Sequence, residues 1–154
     1  MADAASRHIR QAGAGRFCGV WSMHEMSQEQ RVGFARAIIA MLDHWGFSAA
    51  DQVNVLALPA GTMPAMIGQF RENMALPDDP RVSERIEHLA GIADALRTTY
   101  PLNAAMDAIW MNTANRRFDG RTPLEVMVSD GLSGVIAVRA YLDCTFDWGR
   151  LGLA

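Results

Sequence analysis

The sequence predicts an all-α fold, a compact bundle of several short helices. Three observations predict it. Apolar residues recur at three- and four-residue steps, helix starts carry paired capping residues, and the apolar–polar alternation of a strand never persists. The 154 residues are 50% hydrophobic and 20% charged, which suits one compact domain or two small helical units sharing a core.

Ser27 and Gln30 form a capping box, and Ala35, Ile38, Ile39, Leu42 and Trp45 follow at helical spacing until Gly46 stops the first helix. Ser48 caps a second helix over 48–58, with Asp51 in its first turn and Val53, Leu56 and Ala57 on its apolar side. It ends at the turn signal Leu58-Pro59-Ala60-Gly61. Thr62 is expected to cap a third helix over 62–73, with Pro64 in its first turn and Met66, Ile67 and Phe70 inward. Leu76-Pro77-Asp78-Asp79-Pro80 is the best candidate boundary. After it, Val82, Ile86, Leu89, Ala93 and Leu96 predict an amphipathic helix of about five turns.

Tyr100-Pro101 breaks that helix, and Pro101 is expected at the first position of the next, whose apolar side is Met106, Ile109 and Trp110. The segment from Asn112 to Thr122 reads as a polar loop. Thr122-Pro123-Leu124-Glu125 then combines an N-cap, an N1 proline and a capping-box glutamate, starting a short helix through Val128. Asp130-Gly131 turns the chain, and Val135, Val138, Tyr141 and Leu142 form the last helical face. The expected organisation is a flexible leader over 1–26, a helix-turn-helix-like unit over 27–76, and a linking helix with a C-terminal helical module over 80–154.

All 14 basic side chains are arginine, and 17 acidic residues leave a net charge of -3. The missing lysine reads as an arginine-favouring coding bias. The acidic balance argues against a protein that coats nucleic acid, which needs surplus positive charge over phosphate. No run approaches the roughly 20 apolar residues of a membrane span. Cys18 and Cys144 read as two free thiols of a reducing cytosol, and Met1–Val20 lacks the apolar stretch of a secretory signal, so a cytoplasmic location is expected.

His8, His24, His44 and His88 show no metal-ligand spacing, and His88 reads as a solvated side chain. There is no glycine-rich phosphate loop, no nucleophile elbow and no distinctive acid pair. No enzyme, metal or cofactor is expected. The ten methionines read as core filler.

Helices 48–58 and 62–73, with a tight turn at Gly61, have a helix-turn-helix outline. A reading helix normally offers basic or amide side chains near its start. Here the run is Thr62-Met63-Pro64-Ala65-Met66-Ile67, and the only candidates for DNA contact, Gln69 and Arg71, lie late. Arg31, Arg36 and the leader arginines could still meet phosphates in a dimer. The chemistry favours a core of helix-turn-helix shape over a competent DNA reader. A DNA-binding transcriptional regulator acting on its own operator is the alternative reading.

Two stretches carry a resemblance. The first is Leu42-Asp43-His44-Trp45-Gly46-Phe47-Ser48, followed by Asp51-Gln52 and the turn. The second is Trp110-Met111-Asn112-Thr113-Ala114-Asn115, then Phe118, Gly120, Thr122-Pro123-Leu124 and Gly131. Together they resemble the antitoxins of the Xre/MbcA/ParS type, whose partners are toxins carrying a RES domain. The first is similar to the start of the family's Xre-like unit. The second is similar to its C-terminal toxin-binding domain. Ala114 stands where the family's loop usually has proline, and Pro64 and Ala65 stand where DNA-binding members tend to carry basic residues.

The resemblance implies an antitoxin that blocks the active site of an NAD-consuming RES toxin, partly through its C-terminal region. Trp45, Trp110, Asn115, Gly120, Pro123, Leu124 and Gly131 are then read as motif and fold residues. Trp110 is expected to anchor its helix in the core, and Asn115 to hydrogen-bond loop backbone or turn left-handed. Gly120 is expected at positive φ, and Leu124 on the last helix. Toxin contact is expected from Arg116, Arg117, Arg121 and Arg139, and from Phe146, Trp148, Arg150, Leu151 and Leu153 in a terminal tail. That tail could dock on the toxin or on its own core. Operator DNA is a possible second partner, weakened by the degenerate reading helix, and a homodimer is the expected oligomer.

Overall fold

The computed structural model describes residues 25–150, with side chains for 25–144. Cys18 and nearly all of the expected leader lie outside the described residues. Seven α-helices are present among the described residues: α1 (Gln28–Trp45), α2 (Ala49–Val55), α3 (Ile67–Glu72), α4 (Pro80–Thr99), α5 (Met106–Met111), α6 (Pro123–Ser129) and α7 (Gly131–Arg150). Single 3₁₀ turns occupy Pro64–Met66 and Arg116–Phe118. No strand occurs among the described residues, so the all-α expectation holds.

Local chemistry sets the ends of α1. Gln30 donates its backbone N–H to Ser27 Oγ at 3.2 Å, and Ser27 N–H donates to Gln30 Oε1 at 2.8 Å. At the far end Gly46 turns left-handed at φ 95°, and the N–H groups of Gly46 and Phe47 return to the carbonyls of Asp43 and Leu42. The five apolar residues expected in its core face are all buried.

Ser48 caps α2 by accepting from Asp51 N–H at 3.2 Å. The helix then stops at Val55, short of the expected 58. Ala57 lies in a left-handed turn at φ 51°, where Ala57 and Leu58 N–H groups bond the carbonyls of Asn54 and Val53. Ala57 therefore closes the helix rather than lining its apolar side, and Gln52, Val55 and Leu56 take the buried positions. A glycine normally occupies this site, because a Cβ costs about 1–2 kcal/mol there. Ala57→Gly is expected to raise the unfolding free energy by about 0.5–1 kcal/mol in urea titrations. A lowered midpoint would contradict the assignment.

The expected helix over 62–73 is replaced by a shorter one. Thr62 caps nothing: its Oγ1 donates to the Pro59 carbonyl at 2.8 Å and closes the turn. Pro64 opens a 3₁₀ turn, and α3 begins only at Ile67, with Ile67 and Phe70 buried.

Asp79 starts α4, accepting from Arg81 N–H at 2.8 Å with Pro80 at N1. Leu76 is buried beside this turn, so the proline-rich boundary is pinned to the core. Ile92 takes the inward place assigned to Ala93, which is only half-buried, so the 3.6-residue period overrides the simple four-three alternation. Pro101 begins no helix. Asn103 accepts from Ala105 N–H at 3.1 Å, a local turn that competes with helix, and α5 starts at Met106. Within α5 the buried residue is Met111, whereas Ile109 is 53% exposed.

Helix α7 packs against α4 and α6, while α1 packs against α3 and α5. Helix α2 touches α6 and α7 and joins the two groups. The buried side chains form one cluster, running from Ala35 and Trp45 through Leu56, Phe70 and Leu89 to Met111, Val126 and Val138.

Candidate protein-binding surface

The stretch between α5 and α6 is a loop organised around Asn115. Its side chain accepts from Arg117 N–H at 2.9 Å. Its carbonyl accepts from Phe118 and Gly120 N–H at 3.0 and 3.1 Å, and its own N–H donates to the Arg121 carbonyl at 3.1 Å. The expected hydrogen-bonding role is therefore present, but the left-handed residues are Asp119 and Gly120, not Asn115. Phe118 is buried and meets the Tyr141 ring edge-on at 5.5 Å, and Trp110 stacks on the same ring at 6.2 Å. Trp110 is half-buried, so it seals the rim of the core rather than anchoring its centre.

The loop runs directly into the cap of α6. Thr122 Oγ1 accepts from Glu125 N–H at 3.1 Å, and Glu125 accepts from Thr122 N–H at 2.7 Å, with Pro123 buried at N1. Arg121 and Asp130 bracket α6 and pair through two bonds of 3.0 Å each. The hydrogen bonds from Arg121 hold the Asp130 carboxyl below its ordinary range, and the same bonds raise Arg121. Gly131, at φ 60°, opens α7 immediately afterwards. Gly134 then lies against the α6 backbone, where a Cβ would stand 2.2 Å from the Val126 carbonyl oxygen. Leu124 is half-buried and reaches the end of α1, where a Cβ on Gly46 would lie 3.9 Å from its Cδ1.

The four arginines expected to meet a partner divide into two kinds. Arg121 is tied to Asp130. Arg139 lies across α4 at Gly91 and donates to His88 Nδ1 at 3.1 Å, so His88 is half-buried and paired rather than solvated. Arg116 and Arg117 are exposed, and neither guanidinium makes an ion pair among the described residues. The expected terminal tail is helical through Arg150, which puts Phe146, Trp148 and Arg150 on the backbone of α7. Their side chains, with Leu151 and Leu153, lie outside the described residues.

At the C-terminal end of α1, Arg71 grips Asp43 through two bonds of 3.0 Å, and Asp43 also accepts from the buried Gln52 amide at 2.7 Å. Arg71 is thus committed to α1, while Gln69 is exposed. Trp45 is fully buried, and its indole N–H points to Asp107 at 3.4 Å. Asp107 also pairs with His44 Nε2 at 2.8 Å, and Asn112 donates to the Trp45 carbonyl at 2.8 Å. Asp43, Asn112 and Asp130 stand in stretches the sequence singles out and Asp107 does not, but the partners of all four, Gln52 and Arg71, Trp45, Arg121, and His44, are distant in sequence and are met only on folding.

No group of three or more residues able to hold a metal occurs among the described residues, and no described helix is long and apolar enough to cross a membrane. The large exposed apolar side chains among the described residues are Met63, Leu102, Ile109 and Ile136, the last three on the loop before α5, on α5 and on α7.

Residues 95–145 match the family described as the antitoxin Xre/MbcA/ParS C-terminal toxin-binding domain. The matched span holds the second of the two resembling stretches and leaves the first outside. Over 107 residues the chain is 30% identical to the uncharacterized protein y4oB of Sinorhizobium fredii (strain NBRC 101917 / NGR234), covering 70% of this chain and 79% of that protein. No solved structure matches.

Proposed function

We propose that this chain, which belongs to the family of y4oB and carries an antitoxin Xre/MbcA/ParS C-terminal toxin-binding domain at 95–145, neutralises a RES-type toxin by blocking its NAD-consuming active site. The domain match carries the reading. Leu102, Ile109 and Ile136, all within the matched span, are exposed and so accessible to a protein partner. In this reading the C-terminal end of α7 and the residues after it, including Phe146, Trp148, Arg150, Leu151 and Leu153, enter or cover the toxin's pocket. The working form is a cytoplasmic homodimer.

Co-expression with a RES-domain protein encoded beside this chain tests the proposal. Growth is expected to recover, and the two proteins are expected to co-purify. A toxin that still kills and purifies alone overturns the reading. Deleting residues 146–154 is expected to weaken neutralisation while the far-ultraviolet circular dichroism stays helical. Undiminished neutralisation after that deletion removes the C-terminal end from the mechanism.

A further inference from the structure

We propose that Arg116 and Arg117 are the electrostatic anchors of this surface and that each engages its own carboxylate on an acidic protein partner. The inference rests on the antitoxin reading for the partner's identity, but its charge chemistry stands on the internal pairing of the arginines. Arg36, Arg71, Arg81, Arg97, Arg121 and Arg139 each hold a partner within this chain. Arg31 and Arg85 are partly buried, each with a nitrogen shielded from water. Among the residues whose side chains are described, 25–144, only Arg116 and Arg117 combine exposure with an uncommitted guanidinium.

Their backbone is already in place. The Asn115 bonds, the buried Phe118 ring and the cap at Thr122 fix the turn that carries them, so little ordering is needed at association. The two residues are neighbours on a 3₁₀ turn of three residues per revolution, which sets their Cα–Cβ bonds about 120° apart around the axis. That divergence does not suit a shared grip on one carboxylate, and it gives two separate contacts. A protein surface is favoured over nucleic acid because the chain is acidic overall and the pair sits inside the toxin-binding match.

The test has two arms. In the first, full-length chain and Arg116→Glu, Arg117→Glu and double variants are titrated against a purified RES-domain toxin that the wild-type chain neutralises, at low and high salt. Each reversal is expected to weaken binding by about five- to tenfold at low salt, with effects multiplying in the double variant and shrinking in high salt. Normal binding by the double variant overturns the inference and leaves the antitoxin reading intact. A double variant no worse than either single variant overturns the two-contact arrangement.

In the second arm, the wild-type amides are followed by NMR against an eight-residue glutamate peptide and a DNA duplex. Shifts centred on 115–121 with the peptide, absent in the double variant, support the inference even if the RES protein does not bind. Equal or stronger shifts there with the duplex, or none with the peptide, overturn it.

Discussion

Replacing Gly134 by alanine is expected to lower the unfolding free energy by about 3 kcal/mol. The new methyl would stand 2.2 Å from the Val126 carbonyl oxygen, 2.9 Å from its carbon and 3.0 Å from Asp130 Cβ. In a helix interior the same exchange ordinarily stabilises by about 1 kcal/mol. Here the clash wins, because the atoms met are backbone of α6 and cannot swing aside as a side chain can. Helix α7 must lift away from α6, and that uncovers Val126, Met127, Val135 and Val138, all buried in the present packing.

Gly33→Ala supplies the control. Beyond the neighbouring backbone of its own helix, no heavy atom lies within 4 Å of its added methyl, so stability should rise by up to about 1 kcal/mol. Urea denaturation of both variants decides the matter: equal gains at the two sites would show that α6 and α7 do not approach this closely.

Trp45→Ala is expected to cost about 4 kcal/mol. The indole is fully buried at the end of α1, with the Phe47 ring 6.5 Å away, and its removal leaves a hole between the α1 and α5 sides of the core. The loss also strips Asp107 of its indole partner, though His44 remains bonded to that carboxylate. Trp45→Phe retains most of the volume and is expected to cost about 1–2 kcal/mol, so the pair separates cavity from hydrogen bond. A cost below about 1.5 kcal/mol for the alanine variant would mean that the core collapses around the site and that Trp45 does not set its packing.

What the sequence made legible was chemistry within one helical turn. Ser27 with Gln30 and Thr122 with Glu125 could be read because a capping box is complete within four residues. The face of α1 was legible because it repeats over 18 residues. Helix α5 spans six residues, under two turns, too few to fix its phase from sequence, so the expected inward Ile109 is exposed and Met111 is buried instead. Ala57 reads as an apolar-face residue of its helix because nothing about alanine announces a left-handed turn.

The arginines show the same limit at the surface. Arg121 and Arg139 look as free as Arg116 and Arg117 on paper. Their partners Asp130 and His88 stand 9 and 51 residues away, and only folding brings them together.

The single core running from α1 to α7 has a thermodynamic consequence for any partner. Buried side chains from α1 to α7 belong to one cluster, so opening part of it exposes apolar surface of the rest, and the described residues are expected to melt as one cooperative unit. A partner that binds the native form at the α5–α7 end then adds its binding free energy to the whole of that unit. Backbone amides deep in α1, far from the contact, gain the same protection from exchange as those beneath it. Occupancy at one end is thereby reported at the other with no change of shape.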